Sequence, residues 1–141
     1  MVLHHCRRED LAALEWDGQF RQDRPVIEAV FERTLVGDAI MLVAEEDTLV
    51  GQVWLDFMWD IAKLWALRVR PVWRRTGVAS RLLATADALC RARGTRAIEL
   101  EVDVWNRGAR RLYERCGYTV VGCAGWVVMR KQLSALHHAA V

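Results

Sequence analysis

The sequence has little of what marks the special classes of protein. Two prolines, Pro25 and Pro71, in 141 residues leave no proline-rich linker at which to divide the chain, and no internal repeat or low-complexity tract divides it either. A single domain over 1–141 is expected, a length that buries a core without disulfides or a structural metal. Four cysteines, Cys6, Cys90, Cys116 and Cys123, show neither C-x-x-C spacing nor paired His and Cys neighbours. They match neither a zinc site nor a small disulfide framework and read as reduced core thiols. His4, His5, Arg7, Arg8, Glu9 and Asp10 stand where a signal peptide would be apolar, and no uncharged run approaches a membrane span. A cytoplasmic protein with no membrane partner is the expectation. A net charge of +2, with arginines spread over several segments, argues against a nucleic-acid partner.

What is present is a globular composition, 53% apolar and 27% charged, which separates the chain from disordered polar sequences. Met1 to Cys6 reads as a short strand. Asp10 precedes Leu11 and Leu14, and Asp23 precedes Pro25 with Ile27, Val30, Phe31 and Thr34 at helical spacing, so two helices are expected, the second ended by Gly37. From Ala39 a β-rich run turns at Asp47-Thr48 into LVGQVWLDFMW, an antiparallel hairpin, and Ile61 to Val69 adds a third strand. Val78, Leu82, Ala86, Leu89 and Cys90 then share one helical face, with Gly94 placed as a C-cap. Ala97 to Val104 alternates Ile98, Leu100, Val102 and Val104 with Glu99, Glu101 and Asp103, a strand with one buried face. A short helix carrying Ala109, Leu112, Tyr113 and Cys116 follows, closed by Gly117. Strands at Tyr118–Cys123 and Trp126–Leu133, turning at Ala124-Gly125, complete an α+β order, and the tail from Ser134 is expected to fray.

Two segments carry chemistry. Val69 to Leu83, VRPVWRRTGVASRLL, runs from a strand through a basic loop into a helix. Unpaired amides at a helix N-terminus point outward along the positive end of the dipole and suit an anion such as a pyrophosphate. Gly77 permits close backbone approach, Ala79 keeps the first turn narrow, and Arg74 and Arg75 add charge. The spacing alone is equally that of a basic loop capping a helix. The second segment is N-R-G-A-R-R-L-Y-E-R-C-G-Y, from Asn106 to Tyr118. Asn106 and Tyr113 lie two helical turns apart and share a face if the helix starts at or just before Asn106. A phenol, protonated at neutral pH, can give its proton to a departing thiolate; a packed tyrosine at a helix surface is the plainer reading.

Together, about thirty residues apart and in this order, the two segments resemble the GNAT acetyltransferase superfamily. Val69, Pro71, Arg74, Gly77 and Ala79 match its V-x-P…Q/R-x-x-G-x-G/A signature, and Asn106, Ala109, Leu112, Tyr113 and Gly117 match its N-x-x-A-x-x-L-Y-x-x-x-G-F pattern, with Tyr118 at the Phe position. The resemblance covers 39–133 by element order and 64–118 by motif, while the first 38 residues match only as two generic helices. It implies a mostly antiparallel sheet of six to seven strands flanked by about four helices, with a V-shaped splay between the fourth and fifth strands. It also implies acetyl-CoA as co-substrate and direct transfer without metal or acetyl-enzyme. By that resemblance the main chain of Leu67, Arg68 and Val69 would hold the pantetheine arm, the Val69 amide polarising the thioester carbonyl. Arg74 would contribute from the loop, and Arg75, Thr76, Gly77, Val78, Ala79 and Ser80 would hold the pyrophosphate. Asn106 would contact pantetheine, and Tyr113 would protonate the leaving thiolate.

An amine acceptor must lose a proton before attack. Glu101 is the first candidate base, in an L-E-V segment resembling that of GNAT protein N-terminal acetyltransferases, or it is a solvated strand residue; Asp56, Asp60 and Asp103 rank below it. Trp54, Trp59, Trp65 and Trp73 cluster around the central strands and read as core packing, while Trp16 or Trp126 would wall an acceptor pocket. The short turn between the last two strands suggests an open acceptor cleft. His137 and His138 belong to an exposed tail in preference to a metal site. A small-molecule or peptide amine is the expected acceptor, and the resemblance implies pairing of two copies, a homodimer, through the late strands. A GNAT-fold module that binds acetyl-CoA without turnover is the alternative.

Overall fold

The computed structural model describes residues 1–58 and 60–133. Trp59, the expected frayed tail and His137 and His138 lie outside the described residues. Seven strands, β1 Val2–His5, β2 Ala39–Glu45, β3 Leu49–Met58, β4 Ile61–Val69, β5 Ala97–Val102, β6 Thr119–Cys123 and β7 Val127–Gln132, form one sheet in the order β1-β2-β3-β4-β5-β7-β6. Every pairing is antiparallel except β4 with β5. Three α-helices, α1 Arg24–Leu35, α2 Val78–Arg93 and α3 Arg107–Arg115, cover the two faces.

Alternation along the strands sorts the apolar side chains between two cores. Met41, Val43 and Trp54 point to the face covered by α1, where Ile27, Val30 and Phe31 meet them. Leu42, Ala44, Val53 and Leu55 point to the other face, against Leu82, Leu83 and Ala86 of α2, and that core continues under α3 through Ile98, Leu100 and Val102. Gly51 is what lets α2 lie this close to β3. A Cβ there would stand 2.8 Å from Val78 Cγ1 and 3.1 Å from Leu82 Cδ1.

The parallel β4–β5 contact is short. Ile61, Ala62 and Lys63 pair with Ala97, Ile98 and Glu99, and no further pairs follow. Beyond Lys63 the strands separate, which is the expected splay. β4 is also bulged: Gln52 pairs with Arg68 but Trp54 pairs with Trp65, so Ala66 and Leu67 together oppose Val53. Ala66 takes φ +56, a left-handed conformation that an L-residue holds only under tertiary constraint.

Three expectations need correction. The first helix, read from Leu11 and Leu14, is a 3-10 segment, Arg8–Gly18, whose course breaks at Glu15, Trp16 and Asp17. Trp73 does not join the tryptophans of the central strands. Trp54 and Trp65 form an edge-to-face pair, centroids 4.8 Å apart, on the α1 face, whereas the 3-10 turn Pro71–Trp73 carries Trp73 to the opposite core. The thiols are free, but only Cys90 is buried in the core, and Cys123 is exposed at the last turn.

Candidate active site

The splay and the loop after β4 open one cleft of about 1100 Å³, walled by β4 and the start of α2 on one side and by β5 and α3 on the other. Of the residues expected to bind the co-substrate or act on it, all but Thr76 line it, Glu101 and Tyr113 included. Thr76 instead turns its hydroxyl back to donate to Trp73 O, which tightens the loop.

The loop wall is an array of unused donors. Arg74 N–H donates to Pro71 O at 3.2 Å, and the next amide along the chain with a backbone acceptor is Arg81, on Gly77 O at 3.0 Å. Six successive amides, 75–80, therefore have no backbone partner. Two of these residues are left-handed, Arg75 at φ +62 and Gly77 at φ +89. Such alternation curls consecutive N–H groups into a concave nest that binds anions, here continuous with the positive end of α2. Arg74 Nε donates to Val69 O at 3.3 Å and ties the loop to the end of β4. The β4 edge facing β5 has no strand partner past Lys63, which leaves room for an extended ligand arm alongside Leu67 to Val69.

On the opposite wall α3 begins at Arg107, one residue later than a shared Asn106–Tyr113 face requires. Asn106 is its N-cap, with Oδ1 accepting from Ala109 N at 3.1 Å, and its side-chain amide hydrogens remain unbonded. Tyr113 is 8% exposed and packs edge to face on Tyr118, centroids 5.8 Å apart. Burial raises its pKa above that of a free phenol, against the opposing pull of the Arg68 guanidinium. The hydroxyl therefore stays protonated through neutral pH and can act as an acid.

Glu101 faces away from the α2–α3 core, as the alternation of β5 requires. Its carboxylate accepts from Lys63 Nζ at 2.5 Å. Among the other carboxylates considered, Asp56 pairs with Arg33 and Asp60 with Arg96, and only Asp103 also lines the cleft. A smaller pocket of about 310 Å³ adjoins, bounded by Glu101, Val102, Asp103, Gly125 and Trp126. Trp126 is half exposed and walls it, whereas Trp16 is buried in the α1-side core beneath the Arg70 guanidinium. Arg111 and Arg115 line the main cleft from α3 and were not singled out from the sequence; their i,i+4 spacing two residues either side of Tyr113 was the available signal.

Known proteins resemble this chain in sequence and in fold. A GCN5-related N-acetyltransferase 4, chloroplastic, of Arabidopsis thaliana is 43% identical over 58 residues, 41% of this chain, and that match spans 20% of the relative's length. The PaiA N-acetyltransferase of Thermoplasma acidophilum, solved with coenzyme A, superposes with TM-score 0.80 at 19% identity, over 94% of this chain and all of that one. A chimeric spermidine N-acetyltransferase from Vibrio cholerae superposes at 0.78 and 20% identity, over 93% of this chain and 94% of that one. At these identities the two structures speak for the fold alone. The acetyltransferase (GNAT) family model matches residues 5–118, a span that contains the bulged strand, the amide nest and the tyrosine of α3, and the chain belongs to that family.

Proposed function

We propose that the chain transfers the acetyl group of acetyl-CoA directly to a primary amine of a small molecule or peptide, within a ternary complex. The observation that carries the reading is the convergence on one cleft of six unpartnered amides, an unpaired β4 edge and a buried, protonated Tyr113. The amides of 75–80 hold the pyrophosphate, the β4 edge holds pantetheine in extended form, and the Val69 amide donates to the thioester carbonyl as negative charge develops on it.

The amine nitrogen attacks the carbonyl carbon from the side of the small pocket at Trp126. The carbon–sulfur bond then breaks, Tyr113 gives its proton to the departing thiolate, and the proton lost by the amine passes to Glu101 directly or through water. Metal and covalent acetyl-enzyme have no step in this sequence. The Lys63–Glu101 ion pair favours a second reading, a module that binds acetyl-CoA without turnover, because the lysine ammonium occupies the carboxylate oxygen that a base would use. Release of free thiol from acetyl-CoA in the presence of an amine panel separates the two. Acceptor-dependent release supports transfer, and binding without release for every amine supports the module.

A further inference from the structure

The cleft carries more positive charge than a pyrophosphate needs. Five arginines line it, Arg68, Arg74, Arg75, Arg111 and Arg115. Among the described residues none of the five forms an ion pair, although Arg7, Arg8, Arg24, Arg33, Arg91, Arg96 and Arg130 all do. The cleft's carboxylates are Glu101, already held by Lys63, and Asp103.

The charge is also divided between the walls. Arg74 and Arg75 stand on the loop beside the free amides, where the pyrophosphate is placed. Arg111 and Arg115 stand on α3, across the cleft, both exposed and one helical turn apart. Two like charges at i,i+4 repel, and Glu114 on the same helix pairs with neither. Arg115, in the last turn, complements the negative end of the helix dipole, but Arg111 at mid-helix does not. A dianionic phosphomonoester would relieve the repulsion, since a guanidinium fork matches phosphate oxygens in a bidentate arrangement.

Coenzyme A has one phosphate beyond its pyrophosphate, the monoester on the ribose 3′ position. We propose that Arg111 and Arg115 bind this 3′-phosphate and make the chain discriminate coenzyme A from 3′-dephospho-coenzyme A; this rests on the acetyl-CoA reading of the cleft.

Titration calorimetry at one fixed ionic strength, with CoA and 3′-dephospho-CoA as separate ligands, tests it. Wild type is expected to bind CoA about tenfold or more tightly than the dephospho ligand, the span of one to two charge-assisted contacts. In Arg111→Ala/Arg115→Ala the two affinities should converge, with dephospho-CoA bound as in wild type. That retained binding reports an intact cleft, and the milder Arg111→Gln/Arg115→Gln pair repeats the measurement should the alanine variant fail to fold. Equal affinities in wild type would overturn the proposal, as would a preference that survives the double substitution or an equal loss for both ligands. Absence of binding by either ligand to wild type would overturn the acetyl-CoA reading as well, which sets the two failures apart.

Discussion

In the proposed reaction Tyr113 is the acid, and it is the buried phenol on the cleft wall. Replacing it by Phe removes one oxygen and leaves the packing on Tyr118. The expected result is a fall in kcat of about a hundredfold or more, the scale of general acid catalysis, with the Kd of CoA little changed; equal loss in both would make the tyrosine a binding residue. Its raised pKa has a definite sign in a pH profile. The acid works while protonated, so its contribution is complete below its folded pKa and is lost only above it, beyond the ordinary phenol value of about 10. A plot of log kcat/KM against pH should therefore rise with deprotonation of the base and the amine and show no falling limb up to about pH 10. A fall near neutrality would mean that another group is the acid. Glu101→Gln should lower kcat/KM by about a hundredfold if Glu101 takes the amine's proton, and leave it unchanged if the carboxylate serves only its pair with Lys63.

At the scale of the elements, two glycines set the cleft for different reasons. Gly77 has open space where a Cβ would go, so its constraint is its backbone, at φ +89. Gly77→Val forces a β-branched residue into the left-handed region or shifts the first turn of α2, and CoA binding should weaken by an order of magnitude or more, measured by titration calorimetry. Gly51 is the opposite case, with ordinary φ and no room. Gly51→Ala should lower stability by about 1–3 kcal/mol in denaturant unfolding, because α2 must move off β3. Gly77 was legible in the sequence, since it stands in a basic loop at the start of a periodic helix. Gly51 was not, because it sits in an apolar strand and its role depends on which helix lies above it. Ala66 was equally silent: nothing in the residue type marks a left-handed bulge, and family resemblance implied only the splay beside it. Asn106 carried the signal of an N-cap, but the two-turn spacing to Tyr113 placed it inside the helix. The 3-10 segment was misread because Leu11 and Leu14 keep helical spacing while Asp17 takes φ +55 three residues later.

Across the whole molecule, the strand order was largely legible because periodicity changes sharply at Ala39, Val78 and Ala97, where 2.0 and 3.6 alternate. Less legible was how narrowly the sheet is joined. Three residue pairs connect β4 to β5, so the strands β1–β4 and β5–β7 meet along a short seam, with the cleft opening beyond it. A ligand held by both walls adds a second connection. CoA at a hundred times its Kd should stabilise the native state by about 2.7 kcal/mol and raise Tm accordingly. An unchanged Tm would mean that the cleft does not bind it. The most direct test of acetyl transfer is to mix the purified protein with acetyl-CoA and a panel of primary amines and follow free thiol and acetylated amine together. The account predicts that at least one amine yields the two products in equal amounts, at a rate far above that without acceptor, whereas thiol release independent of every amine, or none at all, would contradict it.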